Sequence, residues 1–237
     1  MNVRSDKAPP GRPSREAVLT EFRCSAILDA ARQVFGDCGF EGATIERIAR
    51  VAGIAKGTVY LYYDSKRQLY DDALQAGLAE LETLTVARLD AAATPRDAIA
   101  AFVATRTEYF LERRSFFRMY VEAVSSQLID ATEHPNGCRA FIERQTQRLE
   151  EVLAAAVAAR RIRRIDPAAT ALAIFDLTRG LVARRLIAQR APDLAREITL
   201  LVDLIWSGLR SGAAPRPPGQ SARTAKAAPR PRRAGTR

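Results

Sequence analysis

The segment Lys56-Gly57-Thr58-Val59-Tyr60-Leu61-Tyr62-Tyr63 gathers an ammonium, a threonine hydroxyl and three phenols into barely two helical turns. If Val59 and Tyr63 face inward, at i and i+4, then Lys56, Gly57, Thr58, Tyr60, Leu61 and Tyr62 point outward or flank whatever the helix meets. Ammonium and phenol groups suit phosphate oxygens, and the Thr58 hydroxyl suits a phosphate or a base edge. Leu61 carries no hydrogen-bond code, yet it can pack on a thymine methyl. Gly57 lets the backbone approach a duplex closely. Thr44 and Arg47 open the preceding helical segment, and Lys66 opens the following one. Both starts are placed for backbone phosphates. Together these groups suit the groove of a nucleic-acid duplex.

Such donors read a groove only if two short helices hold them at a fixed angle. Ile45, Ile48 and Ala49 share one helical face at i, i+3 and i+4. Thr44 stands just before them as an N-cap candidate. Gly53 offers the positive φ that a sharp inter-helix turn requires. Ala49 is small where a second helix must cross closely, and Val59, six residues after the glycine, is the apolar pin. The pattern predicts a helix-turn-helix over about 43–62. Upstream, Ile27, Leu28, Ala31, Val34 and Phe35 form an amphipathic stripe that should end at Gly36 and Gly39. Downstream, Ser65 and Gln68 form a Ser-x-x-Gln capping box that starts another helix.

The run from Ala26 to Lys66 resembles the N-terminal domain of TetR-family transcriptional regulators. Its fixed points are Phe35, Gly39-Phe40, Ala43-Thr44-Ile45, Ile48-Ala49, Ala52-Gly53, Lys56-Gly57-Thr58-Val59-Tyr60 and Tyr63. The resemblance covers about residues 20–75, close to a quarter of the chain; beyond Leu74 only a general pattern of long helices agrees. It implies an all-α fold, with a three-helix DNA-binding domain over 16–75 and a helical effector-binding and dimerisation domain over 76–212; composition adds a basic arm over 1–15 and a basic tail over 213–237. It implies DNA contacts at Thr44, Arg47, Lys56, Gly57, Thr58, Tyr60, Leu61, Tyr62 and Lys66. The chain departs from the family at Ala55, often a hydroxyl residue, and at Leu61 and Tyr62, often histidines. Those departures bear on operator sequence rather than on the groove-binding mode. A C2 homodimer is also implied, its last two helices pairing with their symmetry mates in a four-helix bundle. So is a small-molecule pocket whose occupancy moves the two reading heads apart.

With 237 residues the chain can form one or two domains with a substantial core. It has no apolar run near the ~20 residues of a membrane span, and its start lacks the apolar region of a signal peptide. A cytoplasmic protein is expected. The net charge of +10 is unevenly placed: residues 213–237 hold seven Lys or Arg and no acid, and residues 1–15 hold four against Asp6. Residues 16–75 hold seven basic and nine acidic side chains. Bulk charge therefore does not argue for DNA binding; the motif does. Both ends are rich in proline and expected to be disordered. Such ends either hold phosphates non-specifically or serve only solubility.

From Ser65 onward the chain reads as helices: Ser65 to about Ala93, Pro95 to about Leu111, Ser115 to Leu128, Arg139 to Arg161, Asp166 to about Gln189, and Ala191 to about Ser211, with a loop over 130–137. Wide apolar stripes on the last two suit either a dimer bundle or a monomeric core. Phe102, Phe117, Tyr120, Phe141 and Phe175 are candidate pocket aromatics, with Glu122 and Asp176 as acids embedded in apolar stretches. A carboxylate among rings would favour an apolar or cationic effector; the same residues can equally be core aromatics with salt-bridged acids. His134 is the single histidine, and no phosphate loop, metal-ligand cluster or nucleophile elbow appears, so no catalytic residue, cofactor or metal is expected. Cys24 and Cys38 fall on one helix about 21 Å apart, and Cys138 beside Arg139 is either redox-active or inert. The expected function is a ligand-released repressor on a palindromic operator. The alternative is an effector-independent nucleoid-organising or occlusion protein.

Overall fold

The computed structural model describes residues 15–129, 137–188 and 193–210. The basic arm up to residue 14, the tail, His134 and the Cys138 side chain lie outside this description. Among the described residues there are nine helices and no strand: α1 (Arg15–Gly42), α2 (Ile45–Ala52), α3 (Lys56–Val59), α4 (Lys66–Asp90), α5 (Pro95–Glu112), α6 (Arg114–Ile129), α7 (Gly137–Ala158), α8 (Pro167–Ile187) and α9 (Leu194–Leu209). None is long and apolar enough to cross a membrane.

Local chemistry sets four of the helix starts. Thr44 Oγ1 accepts from the Arg47 N–H at 3.2 Å, and Ser65 Oγ from the Gln68 N–H at 3.1 Å. Thr94 does the same for Asp97, and Asp166 for Ala169, both at 3.1 Å. Each satisfies a helix-start donor that has no intrahelical partner. Pro95 and Pro167 occupy first-turn positions, where the missing N–H costs nothing. Gln68 closes its box one residue further back than expected, accepting from the Asp64 N–H at 2.8 Å.

Two boundaries differ from the sequence reading. Helix α1 runs through Gly36 and breaks at Gly39 (φ 71°, ψ 175°), the second of the two glycines expected to end it, but then continues for a last turn to Gly42. The second helix of the motif ends at Val59 rather than Tyr63. Beyond it the chain keeps turning through tighter i→i+3 bonds, Leu61 N–H to Thr58 O and Tyr62 N–H to Val59 O, as helix ends commonly do. One i→i+4 bond, Tyr63 N–H to Val59 O at 3.0 Å, keeps Tyr63 on the Val59 face, and both side chains are buried.

The first domain closes around Ile27, Ala31, Val34, Phe35, Ile45, Ile48, Val59, Leu69 and Tyr70. Helix α4 carries that core into the second domain, where Leu78, Leu81 and Leu89 are buried and the helix packs on α5 and α7. Helix α8 packs on α5 and α7, and α9 on α5. Helix α6 lies against α1 and α4, and each approach requires a glycine. A Cβ on Gly36 would fall on the Ser115 carbonyl of α6, and one on Gly77 of α4 would fall on the Phe116 ring. The backbones of α1 and α6 therefore touch.

Gly36→Ala forces α6 away from α1, because the obstacle is a carbonyl and not a flexible side-chain tip. A loss of about 1–3 kcal/mol, the usual range for overpacking, is expected in urea unfolding. A wild-type midpoint would show that the two helices slide apart freely.

Candidate nucleic-acid interface

The angle between α2 and α3 is set at Gly53 (φ 69°, ψ 29°). Its N–H bonds Arg50 O at 3.2 Å, and the Ile54 N–H bonds Ala49 O at 3.0 Å. That pair of bonds is the Schellman helix stop, whose left-handed residue is costly for any side chain with a Cβ. Val59, fully buried, then pins α3 to the core beside Ile48 and Ala49.

The outward face carries Thr44, Arg47, Lys56, Gly57, Tyr60 and Leu61, all exposed, with Thr58 and Tyr62 half-buried behind them. Leu61 is 79% exposed, a large apolar side chain with nothing of its own chain to cover it. Tyr62 packs on the core edge. Lys56 pairs with Glu46 across the motif and lies 6.0 Å from the Tyr60 ring. Beside Lys56 the Glu46 carboxyl is held below its usual range, and Lys56 is raised in turn. A Cβ on Gly57 would meet nothing within 4 Å, so the fold itself does not require glycine there.

Lys66 is spent differently from the expectation. Its ammonium donates to Phe40 O at 2.9 Å and to Ala43 O at 3.3 Å, and sits 4.4 Å from the Phe40 ring centre. It thus caps the negative end of α1 and leaves one N–H of three for any phosphate.

The far side of the same α1 end is held by α6. Arg118 Nε donates to Gly36 O at 2.7 Å, its Nη2 to Asp37 at 2.6 Å, and Ser115 Oγ to Asp37 at 2.8 Å. Glu122 accepts from the Phe40 N–H at 3.2 Å. Its carboxylate therefore serves the α1 kink and does not stand among the aromatic rings. Between α6 and α8 lies a cavity of about 530 Å³, walled by Phe117, Val121, Leu186 and Ile187 and edged by Arg114, Arg118 and Glu122.

Behind Phe117 the expected aromatics do assemble. Phe102, Phe117, Tyr120, Phe141 and Phe175 are all buried. Phe110 joins them at ring distances of 5.0 Å from Phe117 and 5.4 Å from Tyr120. Asp176 is absent from this cluster: one residue on from Phe175 it faces about 100° away, exposed and paired with Arg179 at 3.0 Å. The charge inside is Arg106, which the sequence reading overlooked. Its signal was available, since Arg106 is four residues from both Phe102 and Phe110 and so shares their buried face.

Residues 27–73 match the sequence model of the family described as bacterial regulatory proteins, tetR family. Over those residues the chain carries a TetR-family DNA-binding domain. The HTH-type transcriptional regulator BetI of Rhizobium meliloti (strain 1021) is 36% identical over 85 residues, 36% of this chain and 42% of that protein. IcaR of Staphylococcus aureus (strain Newman), the negative transcriptional regulator of the biofilm operon icaADBC, is 27% identical over 96 residues, 40% and 50% of the two chains. The chain thus spans about half the length of the curated relatives it matches. Among solved structures, FadR of Bacillus subtilis in complex with stearoyl-CoA superposes with a TM-score of 0.66 at 19% identity, covering 78% of this chain and 98% of that one. The fatty acid degradation regulator FadR from Bacillus halodurans also gives 0.66, at 18% identity and 87% and 100% coverage. Those two share the fold along its length.

For this TetR-family reading head, Gly57→Ala separates folding from recognition. Stability should be unchanged or higher by up to about 1 kcal/mol, the helix-propensity difference. DNA affinity should fall by about 1–3 kcal/mol, comparable with one mismatched base pair. Unfolding midpoints and gel-shift titrations read the two effects, and unchanged affinity would remove Gly57 from the interface.

Proposed function

We propose that the chain is a repressor that grips an inverted-repeat operator as a two-fold dimer and releases it when a small molecule occupies the second domain. The observation that carries this reading is the continuous link from the exposed face of α2 and α3, through the end of α1, to Arg118 and Glu122 on α6. Thr44, Arg47, Lys56, Thr58, Tyr60 and Tyr62 then contact phosphates or base edges. Leu61 reads a thymine methyl, and Gly57 lets the backbone close in. Lys66 positions the head and adds at most one donor. Two namings support the reading: IcaR is a negative regulator, and FadR of Bacillus subtilis was solved with stearoyl-CoA. An effector must favour the released form, because equal affinity for both states shifts nothing.

The dimer face proposed here is formed by α8 and α9. Leu177 and Leu181 of α8 and Leu200, Leu201 and Leu204 of α9 line a groove of about 260 Å³ between the two helices. Leu200 is 70% and Leu204 65% exposed. Arg184 and Arg185 reach across to Glu197 and hold the helices together at one end. A row of exposed leucines on neighbouring helices is an apolar patch that a monomer rarely leaves open. A second copy of the same face would fill it under two-fold symmetry.

Footprinting with the purified chain tests the operator claim, and two protected half-sites about one helical turn apart, or somewhat more, are expected. One asymmetric half-site would refute the symmetric dimer, and many dispersed sites would favour an organising protein. Leu200→Glu with Leu204→Glu should give a folded monomer in sedimentation and lose the footprint. A double variant that remains dimeric would move the interface elsewhere.

A further inference from the structure

Arg106 is the largest fully buried side chain of the described residues, 1% exposed at the middle of α5. Its guanidinium carbon lies 4.2 Å from the Phe175 ring centre, 5.3 Å from Phe102, 5.5 Å from Phe141 and 5.9 Å from Phe110. One hydrogen bond is made, from Nη1 to the neutral Gln145 Oε1 at 3.0 Å, and Nε has none. Among the described residues no carboxylate pairs with it. Burial pushes the guanidinium down to about 10, with the Tyr120 phenol opposing and Arg179 reinforcing the drop, so it stays cationic at neutral pH. Cation–π contacts offset part of the desolvation cost. A charge buried without an anion is nevertheless an expensive way to fill a core, and an apolar side chain of similar length would serve packing better.

From this geometry we infer that Arg106 is the head-group partner of an anionic amphiphile, a molecule with one carboxylate and an apolar body. The carboxylate supplies the anion that the core lacks, and it matches the guanidinium fork in two parallel bonds. The rings supply the apolar lining. Phe117 is both the wall of the 530 Å³ cavity and the neighbour of Phe110 at 5.0 Å, so the cavity reaches to within two rings of the charge. A ligand passing from there to Arg106 must displace Phe110 of α5 and Phe117 of α6, the helix whose Arg118 and Glu122 hold α1. The inference reverses the cationic effector expected from Glu122 and Asp176. It rests on the effector-released reading for its consequence at DNA, though not for the binding itself.

Calorimetric titration of the full chain with two matched series tests it: decanoate against decanol and decylamine, and 2-naphthoate against its neutral amide. A carboxylate should bind at least about tenfold more tightly than its neutral or cationic analogue, as expected for a buried charge-assisted contact. Arg106→Met should melt no lower than wild type and lose that preference. Arg106→Lys should keep the preference with weaker binding, because the charge remains and the fork is lost. Equal binding within both series, binding of the amine alone, no binding by either acid, or a preference that survives Arg106→Met would each overturn the inference. A gel shift on the footprinted operator is run in parallel. Carboxylate binding through Arg106 without DNA release would leave this site standing and refute the effector-released reading. Absence of any operator would refute that reading too, while the calorimetry still decides the site.

Discussion

The contact on which the molecule depends is the touching of two backbones, Gly36 of α1 on the Ser115 carbonyl of α6. With no side chain between them the helices have no soft layer to absorb a displacement. A shift of α6 by a fraction of an ångström must move α1 or open the contact, since packed interiors do not compress. The polar bonds around it are of another kind. Arg118 and Asp37 are both open to solvent, at 56% and 34% exposure, and solvent-accessible pairs contribute little individually because water competes for both partners. Stiff steric contact fixes the position, and weak exchangeable bonds decide how readily it is left. That combination suits an element with two arrangements separated by a few kcal/mol.

Electrostatics in the reading head follow a similar economy. Residues 16–75 hold more acids than bases, and Lys56 is already paired with Glu46. Little long-range attraction draws this surface to a duplex, and salt screens what there is within about 8–10 Å. In the proposed interface affinity then has to come from close donors, whose positions are set by Gly53 and Val59. The basic surplus lies in the chain ends, so most of the positive charge and the exposed donors of α2 and α3 belong to different segments.

Side chains of the second domain show how one helix sorts neighbouring residues. Phe175 and Asp176 are adjacent, yet one lines the aromatic cluster and the other meets solvent and Arg179. Arg106 sits between Phe102 and Phe110 on the same face and is buried with them. Helical angle, and not the polarity of the immediate neighbours in sequence, governs which residue faces inward. An acid flanked by apolar residues is therefore weak evidence for a buried acid. A cation spaced four residues from two aromatics is the stronger signal.

What the sequence by itself determined was everything carried by interactions within a few residues. The helix starts at Thr44, Ser65, Pro95 and Asp166, the stop at Gly53, and the inward pair Val59 and Tyr63 are of this kind, because caps, first-turn prolines, left-handed turns and a 3.6-residue period need no distant partner. The family was legible for the same reason, its fixed points lying within one short run. Only the tertiary structure decided where the long polar side chains end. Lys66 reaches Phe40 and Ala43, Glu122 reaches Phe40 across 82 residues, and Arg106 meets rings from α7 and α8. Which helices meet depends on the close approaches that Gly36 and Gly77 permit. The partner of a flexible charged side chain is known only once those approaches are made.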